Sequence, residues 1–134
     1  MIHLDTTFAV DLLRERRRGE LGAATRFLAS LKLEETVISP FVQCELFIGA
    51  ELSQWTAQAK AEIHHLCSVF AVAFPDERFP EVYGEIASYL QRSGLIIGVM
   101  DVLIAASAIL DEAPLVTRNA RHFERIPHLE LLSY

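Results

Sequence analysis

Met1-Ile2-His3-Leu4-Asp5-Thr6-Thr7-Phe8 sets the fold class. A short apolar run over Met1–Leu4 reads as a buried strand. It meets a carboxylate at Asp5 and turns at once into a helix, with Thr6 or Thr7 as the expected cap. Phe8, Leu12 and Leu13 continue as the apolar stripe to about Arg17. The same passage from strand to helix recurs along the chain. Further strands are expected at Thr36–Ser39, Val69–Phe74, Leu115–Thr117 and, as an edge, Leu129–Leu132. Helices are expected at Ala23–Leu31, from Pro40 to about Gly49–Leu52, and at Gln54–Leu66, Pro80–Arg92 and Asp101–Asp111. Pro40 suits a first helical turn, and Gly19, Gly22 and Gly94 mark breaks. Strands alternating with helices build βαβ units, hence a mostly parallel sheet of four to five strands with right-handed crossovers and helices on both faces. In such sheets ligands bind beyond the carboxyl ends of the strands.

The composition agrees with a packed protein. The chain has 134 residues, 51% of them apolar and 22% charged, so residues 1–134 read as a single domain rather than a disordered tail. No apolar run approaches the ~20 residues of a membrane span, and no basic region precedes an apolar leader. Cys44 and Cys67 are the only thiols, which points to a reducing compartment, the cytoplasm, and away from a disulfide scaffold. The net charge of −6 excludes general coating of nucleic acid. The basic residues are nevertheless clustered, at Arg14–Arg18 and at Arg118, Arg121 and Arg125. They read either as solvated helix ends or as two local phosphate-contacting patches, where a guanidinium grips a phosphate as a bidentate fork.

Three acids sit in apolar company. Asp5 closes the first strand. Glu45 lies within Phe41-Val42-Gln43-Cys44-Glu45-Leu46-Phe47-Ile48. Asp101 separates Leu95–Met100 from Val102–Leu110. Each alone reads as a helix cap or a buried ion pair, because an uncompensated carboxylate is costly there. Together they fall at strand carboxyl ends or on the helices that follow, positions that a parallel sheet brings to one edge. Like charges raise one another's pKa, and a hard divalent cation, Mg²⁺ or Mn²⁺, relieves that repulsion. The chemistry implied is metal-assisted hydrolysis of a phosphodiester.

These motifs resemble the PIN-domain ribonucleases, specifically the VapC-type toxins of bacterial toxin–antitoxin pairs. The likeness is carried by Ile2-His3-Leu4-Asp5-Thr6-Thr7, by Ile38-Ser39-Pro40-Phe41-Val42-Gln43-Cys44-Glu45-Leu46 with Gly49, by Ile97-Gly98-Val99-Met100-Asp101-Val102-Leu103-Ile104-Ala105-Ala106, and by Leu115-Val116-Thr117-Arg118-Asn119-Ala120-Arg121-His122-Phe123. It implies a three-layer α/β/α fold and an acidic metal site made by Asp5, Glu45 and Asp101. It also implies RNA as substrate, cut to leave a 5′-phosphate and a 3′-hydroxyl, a small antitoxin as partner, and a homodimer. Asp5 and Asp101 are expected to ligate Mg²⁺, with Glu45 completing the site or positioning the nucleophile. Thr6, Thr117 and Asn119 are expected to support it, Asn119 by holding a water or orienting Asp5. Arg118 or Arg121 is expected to orient a phosphate. The family's further acid near the fourth motif is missing, since the segment offers Thr117, Asn119 and His122, and this bears on a second metal.

Other enzyme classes fit poorly. A dehalogenase-like phosphatase needs an acid two residues after Asp5, where Thr7 stands. A receiver domain needs an acidic pair after the first strand. No Gly-rich phosphate loop is present, adjacent His64 and His65 cannot share one face of a helix, and zinc at His122 and His128 is disfavoured. The non-enzymatic alternative is a degenerate fold that only binds antitoxin or RNA.

Overall fold

Strands and helices alternate as the pattern requires. β1 (Ile2–Leu4) leads into α1 (Thr6–Arg18) and α2 (Ala23–Ser30). β2 (Thr36–Ile38) leads into α3 (Pro40–Glu51) and α4 (Thr56–Val69), and β3 (Ala71–Val72) into α5 (Phe79–Arg92) and α6 (Val99–Leu110). β4 (Leu115–Val116) passes through α7 (Ala120–Phe123) to β5 (Leu131–Leu132). The structure, a computed structural model, describes residues 1–134.

The sheet is wholly parallel, in the order β3-β2-β1-β4-β5. β1 is central. His3 stands beside Val37 on one side and Leu115 on the other, and Ile2, His3 and Leu4 are all buried, as expected of a strand covered on both faces. The chain moves outward through β2 and β3, then jumps back over β1 to β4. Right-handed crossovers therefore place the helices before and after that jump on opposite faces, giving the three-layer α/β/α arrangement. The reversal opens a crevice at the carboxyl ends of β1 and β4, where open parallel sheets place their ligands.

Apolar burial holds the layers together. Phe8, Leu12, Val42, Leu46, Ile104, Leu115 and Phe123 belong to one continuous core. Phe8 meets Tyr134 edge to face at 4.8 Å and Phe27 at 5.9 Å. Fully buried His3 is satisfied through Nε2, 2.7 Å from Asp111 Oδ2 at the far end of α6. Burial is the main cause that lowers its imidazole pKa below the usual value, with the bond and charge of Asp111 opposing it.

Several boundaries differ from the sequence reading. Of the expected caps of α1, Asp5 fills the place and Thr6 and Thr7 lie inside the helix, since Asp5 accepts the Phe8 N–H at 2.9 Å. The third strand is only Ala71–Val72. Val69 ends α4 and Phe74 is exposed, because a continuous apolar run carries no period to tell strand from helix. α6 starts at Val99 rather than at Asp101, which places Asp101 in its first turn. The fourth strand stops at Val116 and frees Thr117 to turn toward Asp5. The single turn α7 is an addition, too short to leave a periodic signal.

Candidate active site

Asp5 sits at the reversal point, 2% exposed. Its backbone N–H donates to the Val116 carbonyl at 3.1 Å, tying the end of β1 to the end of β4. Oδ1 accepts from Phe8 N at 2.9 Å and from Thr7 Oγ1 at 2.7 Å, and Oδ2 accepts a short hydrogen bond from Thr117 Oγ1. Burial is the largest influence on this carboxyl and raises its pKa above the usual range. The three hydrogen bonds pull the other way, and the negative charge of Asp101 adds to the rise.

Glu45 and Asp101 approach from helices. Glu45 lies half-buried on α3, and its Oε1 accepts from Thr6 Oγ1 at 2.6 Å. Thr6 thus joins the second acid to the residue after Asp5. Asp101 lies in the first turn of α6, where the helix dipole favours a negative charge. Its Oδ2 is 3.0 Å from His122 Nδ1. None of the three carboxylates has a Lys or Arg ion-pair partner. The acids are also not drawn into a closed cage, and no group of three or more His, Cys, Asp or Glu is arranged as a ready-made ligand set. A Mg²⁺-type ion keeps several of its waters and needs only one or two direct carboxylates, so an open set of hydroxyl-held acids suits it better than a cage. The donor set fits such an ion: all oxygen, acidic, and without a Lys or Arg ion pair.

The supporting residues divide. Thr117, 1% exposed, holds Asp5 directly. Asn119 is exposed and contributes only its backbone N–H, which donates to Thr117 Oγ1 at 2.9 Å. Its side-chain amide makes no hydrogen bond to the acids, so of its two expected roles it does not orient Asp5. Arg118 is fixed at the rim. Its backbone N–H donates to Thr7 Oγ1 at 3.2 Å and its Nη1 donates to Asp11 Oδ2 at 2.7 Å. Arg121 is exposed and has no ion-pair partner. Of the N-terminal cluster, Arg14 pairs with Asp11 and Arg17 with Glu62.

Sequence reasoning missed Asp11, Tyr134 and the pairing of His122 with Asp101. Asp11 is 9% exposed and receives Arg118, Arg14 and, at 2.8 Å, the Tyr134 hydroxyl. Its spacing from Arg14 looks like an ordinary surface pair on a helix. His122 is separated from Asp101 by 21 positions, and only the packing of α7 on α6 brings them together.

The comparisons with known proteins agree with this fold. A family model described as PIN domain matches residues 2–129. The chain is similar to ribonuclease VapC2 of Rickettsia felis, 37% identical over 94 residues, covering 70% of each chain. It is also similar to ribonuclease VapC19 of Mycobacterium tuberculosis, 36% identical over 129 residues and 95% of each. Among solved structures it resembles a chain of VapBC2 from Rickettsia felis bound to a promoter DNA fragment. The TM-score is 0.88 and the identity 31%, with 100% of this chain and 99% of that one covered.

Proposed function

The chain belongs to the PIN-domain family, with the VapC ribonucleases, and on that footing we propose that it is a Mg²⁺-dependent endoribonuclease acting as the toxin of a toxin–antitoxin pair. The observation that carries the reading is the buried Asp5 carboxylate at the β1/β4 crevice, hydroxyl-bonded, facing the charge of Asp101 and lacking a basic partner. Asp5 and Asp101 would hold Mg²⁺ or Mn²⁺, with Glu45 completing the set. When bound, the ion supplies Lewis acidity toward a phosphoryl oxygen and lowers the pKa of water.

The protein's own groups do the rest. Thr117, Thr7 and the Phe8 N–H fix the Asp5 carboxylate, so little reorganisation is left for the reaction. Glu45, steadied by Thr6, orients the attacking water. Arg118 and Arg121 contact phosphates next to the scissile one. Water oxygen bonds to phosphorus in line, the bond to the 3′ oxygen breaks, and the products carry a 5′-phosphate and a 3′-hydroxyl. The partner is a small antitoxin, in keeping with the VapBC identity of the structural relatives, and the working form is a dimer in the cytoplasm.

Digestion of total bacterial RNA with Mg²⁺, followed by end-mapping, tests this. Discrete cuts with 5′-phosphate ends are expected from the wild type, and none in EDTA or with Asp5→Asn. Cleavage by Asp5→Asn at the wild-type rate would refute the assignment.

A further inference from the structure

We propose that His122 is a positioning residue that holds Asp101 in place for a divalent cation. The inference rests on the metal site put forward above and extends it to a residue outside the acidic set. Each of the three acids has one dedicated side-chain partner or more, none of them Lys or Arg. Asp5 has Thr117 and Thr7, Glu45 has Thr6, and Asp101 has only His122. Asp101 Oδ2 receives this contact at 3.0 Å, and Oδ1 is left without a protein partner. An imidazole donating through Nδ1 fixes one oxygen of a carboxylate and leaves the other for the ion. Outer partners of metal ligands act in this way.

The donor is itself held by the fold. Phe123, the next residue, is 2% exposed in the core, and α7 packs on α6, the helix that carries Asp101. A few residues upstream, the same segment sends Thr117 to Asp5. One short stretch, Thr117–His122, therefore orients two acids that arise from different elements. A lone exposed histidine with no other polar partner would have no reason to be so anchored.

The opposite reading is that His122 merely occupies Asp101 and competes with a cation. The two differ in sign. Isothermal titration with Mn²⁺ alone, together with metal-free melting, separates them for the wild type, His122→Ala, His122→Asn and His122→Gln. His122→Ala is expected to weaken Mn²⁺ binding about 10-fold or more, the usual range for losing an outer partner, with the metal-free melting temperature unchanged. Asn places an N–H near the position of Nδ1 and is expected to restore most of the affinity. Gln reaches instead toward Nε2 and is expected to behave like Ala. Unchanged or tighter binding by His122→Ala would overturn the inference, and so would equal loss in all three variants. Absence of Mn²⁺ binding by the wild type would overturn the metal site itself, an outcome distinct from either.

Discussion

Asp5 has two roles that pull against each other. It caps α1 through Oδ1, which contributes stability, and it carries a charge into a site where burial raises its pKa. Asparagine keeps the cap and sheds the charge. Asp5→Asn is therefore expected to melt, without metal, at or above the wild-type temperature while losing cleavage. A lower melting temperature would mean the carboxylate is a structural pillar. Thr117→Val removes the buried hydroxyl that serves both Asp5 and the Asn119 N–H. A loss of about 1–3 kcal/mol in denaturant unfolding is expected, and Thr117→Ser is expected to recover most of it. At this scale the acids were readable because a carboxylate inside an apolar run contradicts its surroundings. Asp11 also sits in an apolar run, between Val10 and Leu12, but its spacing from Arg14 reads as an ordinary helix pair, and His122 finds Asp101 only through the fold. The choice between Thr117 and Asn119 was equally hidden. It depends on where β4 ends, which sets Thr117 beside Asp5 and carries Asn119 past it.

The ends of elements show what local chemistry can specify. Ser39 caps α3 just before Pro40, Gly19 closes α1 with φ of 63°, and Arg16, Arg17 and Arg18 occupy the last turn, where the dipole favours them. These features follow from residue type alone. α2 starts differently. Its cap position is Gly22, which has no side chain, and the carboxylate of Glu15 reaches across from α1 to accept the Ala24 and Thr25 N–H groups, each at 2.9 Å. A Cβ at residue 22 would run into that carboxylate. Glu15→Ala is expected to cost about 1–2 kcal/mol, the usual loss for removing a helix cap, as measured by chemical denaturation. A change within error would show that α2 does not need the bridge. Such a cap borrowed from another helix has no signature in the local sequence. The short β3 is the converse case, where an apolar run was readable but the division between helix and strand was not.

For the whole molecule, the alternation of strands and helices made the parallel sheet legible, while the strand order was not. Nothing local states that β4 lies against β1, and that adjacency is what puts Thr117 on Asp5 and forms the crevice. A second long-range tie is the Tyr134 hydroxyl on Asp11, 123 positions away, with the ring against Phe8 and Phe27. Burial, then the bond and charge of Asp11, raise the Tyr134 pKa. A raised folded pKa gives stability that is present below the unfolded value of ~10 and lost as pH climbs past it. Wild-type stability is thus expected to fall more steeply above that pH than the stability of Tyr134→Phe, measured by melting across an alkaline series. Parallel slopes would count against the tie. The assembled crevice leads to the claim on which the rest depends, that acids from β1, α3 and α6 serve one cation. Anomalous diffraction from a crystal soaked in Mn²⁺ tests it most directly. A strong anomalous peak bounded by Asp5, Glu45 and Asp101 is expected. An empty crevice at saturating Mn²⁺, or density only elsewhere on the surface, would contradict it.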